Sequence, residues 1–140
     1  MAARRPIQSI EEANLELIKS LLLAFSRADA ITVREMLTED VVFHFPGANA
    51  LAGDYKGKDQ ALQLLLKVAR WTHGSSRVQL HDVLANEQHG VLMYTVTARH
   101  EERQFKYRYI DVYHFRDGQV CEVWGYPGED PEAFDRFYSD

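Results

Sequence analysis

The sequence predicts a single α+β domain in which a curved antiparallel sheet wraps N-terminal helices around an apolar pocket. Three observations lead there. The chain has 140 residues, near the commonest domain size, which supports one hydrophobic core over 1–140. Segments of helical period come first and strand-like segments follow, instead of alternating as βαβ units do. The longest strand-like segment carries an aromatic face broken by one carboxylate.

Element by element, Ser9 to Ala28 reads as a long amphipathic helix, because Ile10, Leu15, Ile18, Leu22 and Phe25 recur at three- and four-residue steps. Ser9 is its N-cap, with Glu12 completing a capping box. Asp29 to Leu37 reads as a short second helix, since Val33, Met36 and Leu37 share a face, and Thr38-Glu39-Asp40 breaks it. Val41-Val42-Phe43-His44-Phe45 is β-branched and aromatic and stops at Pro46-Gly47, so it reads as a short strand. A loop from Ala48 to Gly57 leads to a third helix from Asp59 to Trp71, with Leu62, Leu65, Leu66 and Ala69 as its apolar stripe. Four strands follow as a meander: Arg77 to Ala85, Val91 to His100, Phe105 to Phe115, and Val120 to Tyr126, the last hairpin turning on Asp117-Gly118. Asp130-Pro131 starts a final helix, whose Phe134, Phe137 and Tyr138 pack it back on the sheet.

Composition narrows the function. With 46% hydrophobic and 26% charged residues the chain is too apolar to stay disordered. A net charge of −5 with scattered basic residues argues against nucleic acid as a partner. Cys121 is the single cysteine, so no internal disulfide forms, and a reducing cytoplasm is expected. The segment Met1 to Pro6 is basic, but Glu11, Glu12, Glu16 and Lys19 follow it where a signal peptide would be apolar. The longest apolar run, Leu21 to Phe25, is far short of a membrane span, so no membrane association is expected. No G-x-G-x-x-G, Walker lysine loop, G-x-S-x-G elbow or H-E-x-x-H spacing occurs; no nucleotide, metal or other cofactor is expected.

What remains is pocket chemistry by hydrogen bonding and proton exchange. In Phe105 to Phe115 every odd position is aromatic except Asp111. A carboxylate in an aromatic wall is either satisfied by neighbouring hydroxyls or amides, or it has a raised pKa and a catalytic task. His44, at a strand end beside a loop, is either a ligand-facing group or a loop-pinning one. His100 shares a face with Leu92, Tyr94, Val96 and Ala98 and could reach a pocket mouth, or be solvated at its hairpin end. His73, His81, His89 and His114 lack ligand spacing.

The order of elements, with Val41 to Gly47, Leu51-Ala52-Gly53-Asp54-Tyr55-Lys56-Gly57, Tyr113 to Val120, Glu122 to Tyr126 and Asp130 to Ser139, resembles the SnoaL-like branch of the nuclear transport factor 2-like (ketosteroid isomerase-like) superfamily over nearly the whole chain. The resemblance implies a cone-shaped fold with a pocket between helices and curved sheet, and frequent homodimers formed through the outer sheet face, where Trp124 or Tyr126 could serve. It covers steroid isomerases, polyketide cyclases, epoxide hydrolases and noncatalytic binders. It places Asp111 on the strand from which ketosteroid isomerases present an oxyanion-hole acid. It places His44 where polyketide cyclases carry a histidine and epoxide hydrolases an asparagine, pointing inward. It also removes constellations: Leu21 and Phe45 stand at the isomerase phenol and base positions, and Val96, Ala98 and Gly125 at the epoxide hydrolase Arg and Asp positions.

The expectation is a cyclase- or isomerase-type enzyme acting on an apolar or polycyclic ketone, with Asp111 as acid/base and His44 as its partner. Tyr94, Tyr107, Tyr109, Tyr113, Phe45, Val123 and His100 would contact the substrate. The alternative is a noncatalytic domain of the same fold that binds a small apolar molecule or a partner.

Overall fold

The computed structural model describes residues 8–139, so the basic segment Met1 to Pro6 lies outside the described residues. Helix α1 (Ile10–Ser26) begins where the Ser9 hydroxyl accepts from the Glu12 amide at 3.1 Å. It buries Ile18, Leu21 and Leu22, and ends where Ala28 turns to a φ of 55°. Asp29 caps α2 (Ala30–Met36) by accepting from the Thr32 amide.

Strand β1 (Leu37–Phe45) then follows without a break, four residues before the expected start at Val41. The reason is long-range: Leu37 is fully buried and pairs with Val120 on the far side of the chain. A second departure is β2 (Gly53–Lys56), four residues within the segment expected to be loop, which pairs antiparallel with β1 through Phe43 opposite Tyr55. Helix α3 (Gly57–Trp71) buries Ala61, Leu64 and Leu65. The meander then runs as β3 (Arg77–Ala85), β4 (His89–His100), β5 (Arg103–Arg116) and β6 (Gln119–Pro127), followed by α4 (Pro131–Phe137). Asp130 caps α4 through the Ala133 amide, and the Trp71 indole N–H donates to the Phe137 carbonyl at 2.8 Å, tying α4 to α3.

The six strands form one curved, unclosed sheet in the order β2-β1-β6-β5-β4-β3. All neighbours are antiparallel except β1 and β6, which run parallel. The architecture is the expected α+β one, but the sheet is mixed and not wholly antiparallel. Parallel neighbours require a long connection between them, and here β2, α3 and the whole meander supply it. Register breaks near Leu80, between Leu37 and Val42, and between His114 and Phe115 add twist, which helps bend the sheet. One face of the sheet packs on the helices. At Gly90 the sheet comes close to α1, since a Cβ there would stand 2.8 Å from Ile18 Cδ1 and 2.9 Å from the Phe115 ring. No described helix is long and apolar enough to cross a membrane.

Candidate active-site cavity

Between the helices and the sheet lies a cavity of about 620 Å³. Leu21, Leu22 and Phe25 of α1, Leu64 and Val68 of α3, Phe43 and Phe45 of β1, Val96 of β4 and Val123 of β6 make most of its wall apolar. The period-two alternation of β5 delivers Tyr107, Tyr109, Asp111 and Tyr113 to that wall in sequence. Asp111 stands opposite Leu92 on β4 and Gly125 on β6, in the middle of the sheet.

Asp111 is 8% exposed. Two phenols donate to the same carboxylate oxygen: Tyr94 to Oδ2 at 2.7 Å and Tyr113 to Oδ2 at 2.8 Å. Among the described residues no donor reaches Oδ1. Burial pushes the carboxyl up to about 6, against the pull of the two phenols, which favour the ionised form. Burial and the neighbouring Asp111 charge hold Tyr94 and Tyr113 well above the ordinary phenol range, so both keep their protons and act as fixed donors.

The rest of the wall is ordered by ring contacts. Tyr109 meets Tyr94 edge-on at 5.7 Å and stacks on Phe134 at 5.6 Å. Its hydroxyl occupies the space over Gly125, where a Cβ would come within 2.0 Å of Tyr109 Oη. Tyr107 shares a 2.6 Å hydrogen bond with the Tyr138 hydroxyl, and burial pushes the Tyr138 phenol up to about 12. Phe45 stacks on Phe134 at 5.6 Å and meets Tyr138 edge-on at 5.5 Å. Phe43 and Tyr138 also line the cavity; Phe43 alternates with His44 on β1, and that alternation is the signal that could have found it.

One expected site residue, His100, falls elsewhere. His44 is among the cavity-lining residues on β1, between Phe43 and Phe45, but its ring nitrogens are bound to carboxylates of β2 and β6 and not to Asp111. It pairs in register with Trp124, whereas its neighbour Phe43 pairs with the cavity residue Val123. The ring stacks on Trp124 at 5.6 Å, with Nδ1 2.7 Å from Asp54 Oδ1 and Nε2 2.6 Å from Glu122 Oε2. Both ring nitrogens therefore donate to carboxylates, which requires the imidazolium form. Partial burial works against that charge, but the hydrogen bonds and charges of Glu122 and Asp54 raise the His44 pKa. The structure thus does not bring His44 and Asp111 together, because each is bound up on its own face. His100 is buried under Trp71, stacked at 4.0 Å with Nδ1 donating to the Trp71 carbonyl at 2.7 Å, and is not among the cavity-lining residues. Packing against an indole, not ligand contact, explains its position.

Chemically, the cavity offers one ionisable carboxyl with a free oxygen, held by two neutral phenols in apolar surroundings. Such a group can accept a proton near neutral pH and return it. Among the described residues no group of three or more His, Cys, Asp or Glu side chains is placed to hold a metal ion.

Residues 18–123 match the model of the SnoaL-like domain. An uncharacterized protein of Mycobacterium tuberculosis is 34% identical over 76 residues, 54% of this chain and 58% of that protein. The match thus spans less than two thirds of the length of this curated relative. Bal32a, from a soil-derived mobile gene cassette, superposes with a TM-score of 0.87 at 24% identity over 93% of this chain and 99% of its own. A putative SnoaL-like polyketide cyclase from Jannaschia sp. CCS1 superposes with a TM-score of 0.75 at 17% identity over 91% of this chain and 92% of its own. These two likenesses are of fold.

Proposed function

Because the chain belongs to the SnoaL-like domain family, we propose that it is a small-molecule enzyme of cyclase or isomerase type that moves a proton on an apolar carbonyl compound. The observation that carries the proposal is Asp111: a buried carboxyl on the cavity wall, pinned through Oδ2 by Tyr94 and Tyr113, with Oδ1 left for a ligand. A pKa near 6 keeps most of the group ionised at neutral pH, ready to take a proton from the carbon beside a carbonyl. The two phenols stop the carboxylate from rotating away, and the apolar wall keeps water from competing for the proton. His44 has no part in this step. The polyketide cyclase with which the chain shares its fold supports the class of chemistry, not its substrate.

A ketone of suitable size, 2-tetralone, tests the proposal. Incubated with the protein in deuterated buffer at neutral pH, its α-protons should exchange faster than in buffer alone, as followed by proton NMR. Asp111→Asn should abolish the acceleration while the ketone still perturbs the resonances of cavity residues. Binding without any accelerated exchange in the parent protein would identify the chain as a noncatalytic binder.

A further inference from the structure

Among the described residues, the exposed members of the cavity lining come from two segments: Leu23, Arg27 and Ala28 where α1 ends, and Gly74 and Arg77 where α3 gives way to β3. These segments form the mouth. Each brings one arginine to it, in a chain whose net charge is −5. Among the described residues Asp111 is the only carboxylate that lines the cavity, and it is buried. Strand register gives the separation. Arg77 lies opposite Thr97, which lies opposite Lys106, five residues along β5 from Asp111. At the strand rise that is about 17 Å along the sheet.

Among the described residues neither arginine is in an ion pair. Arg77 Nη1 donates to the carbonyls of Gly74 at 3.2 Å and Ser76 at 2.9 Å, which steadies the guanidinium at the rim and leaves its other nitrogens available. The charge Arg27 feels from Asp29 comes from a carboxylate already occupied by the amide and hydroxyl of Thr32. Two arginines among the exposed lining of an apolar cavity, with no ion pair among the described residues, suit a planar anion such as a carboxylate.

We infer that the ligand is an elongated, mostly apolar carboxylic acid, its body in the cavity, its far end toward Asp111, and its carboxylate held at the mouth by Arg27 and Arg77. This deepens the function proposed above and rests on the cavity being its ligand site. The two cations also give the entrance a polarity opposite to that of the chain as a whole, which favours capture of anionic ligands by that end.

The test is fluorescence titration with 11-(dansylamino)undecanoate and its methyl ester, a pair differing in the terminal charge. At low salt the protein should bind the acid about 10-fold tighter than the ester, and the preference should shrink to about 2-fold in 0.5 M NaCl, where exposed charges are screened. The double variant Arg27→Gln/Arg77→Gln should lose the preference by weakening the acid alone. Arg27→Lys/Arg77→Lys should keep most of it, and Arg34→Gln, outside the cavity, should change nothing. Thermal melts of the variants check that the rim changes leave the fold intact. Equal binding of acid and ester by the parent protein, or a preference that survives the double Gln variant, overturns the inference. Failure of the ester to bind at all instead overturns the cavity as the ligand site.

Discussion

Asp111 and His44 stand on opposite faces of one sheet, and each titrates against its own set of partners. Asp111 is buried in an apolar wall that pushes its carboxyl up to about 6, against two phenols that stabilise its charged form. His44 meets two carboxylates, so its charged form is favoured. The first arrangement suits proton exchange with a ligand, and the second joins β2, β1 and β6 through one imidazole.

Tyr113→Phe should raise the Asp111 pKa further, because it removes one of two donors that stabilise the carboxylate. A hydrogen bond to a charged group is worth about 1.5 kcal/mol or more, so the rise should be roughly one unit. Carbon-13 NMR titration of the Asp111 carboxyl reads it directly. An unchanged midpoint would mean that the Tyr113 hydroxyl does not hold the carboxylate in solution.

The same group ties stability to pH. Its folded pKa of about 6 exceeds the ordinary 3.8, so the folded state binds the proton more tightly. This contribution is fully present below about pH 4 and is lost as pH rises through 6, a difference of roughly 3 kcal/mol. Denaturant unfolding of the parent and Asp111→Asn from pH 4 to 8 should show the variant gaining relative stability across that window. Parallel curves would contradict a raised Asp111 pKa in the folded protein.

For His44 the sign gives a different window. Its raised pKa adds stability below the unfolded value of 6.5 that disappears as pH climbs past the folded value. His44→Gln should therefore be less stable than the parent at pH 6, by about 1 kcal/mol or less because the cluster is partly exposed, and the gap should narrow as pH rises through the raised folded pKa. Proton exchange on a cavity-bound ketone should be unaffected, and a loss there would return His44 to the reaction.

Gly125→Ala places a methyl group within 2.0 Å of Tyr109 Oη, so the phenol must swing away from its pocket over β6. Overpacking of this kind costs about 1 to 3 kcal/mol. Ligand affinity should fall along with the melting temperature. If the ester probe bound unchanged, Tyr109 would not shape the ligand site.

Much of this was legible in the residue pattern. Tyr94, Tyr109, Asp111 and Tyr113 were expected on one wall, and strict alternation along β4 and β5 puts them there. The two phenols on a single carboxylate oxygen join both alternatives considered for Asp111, since it is satisfied by hydroxyls and still raised in pKa. For His44 the alternation pointed the other way: in Val41 to Phe45 the histidine is out of phase with Phe43, while its strand-end position and the family resemblance pointed it toward a ligand. β2 was missed because Gly53 to Lys56 is short and has just one buried side chain, Tyr55, giving no periodicity to detect. The mouth arginines could not be assigned either, because α1 and β3 meet only through packing that no local pattern encodes.

The parallel pairing of β1 with β6 has a further consequence for biosynthesis. His44 reaches Glu122 across 78 positions of chain, so β1 is translated long before its neighbour exists. Until β6 emerges from the ribosome, one edge of β1 is unpaired, and contacts this distant slow the final step of folding. A nascent chain paused within the meander would thus present an open strand edge, the kind of surface that chaperones and aggregation compete for.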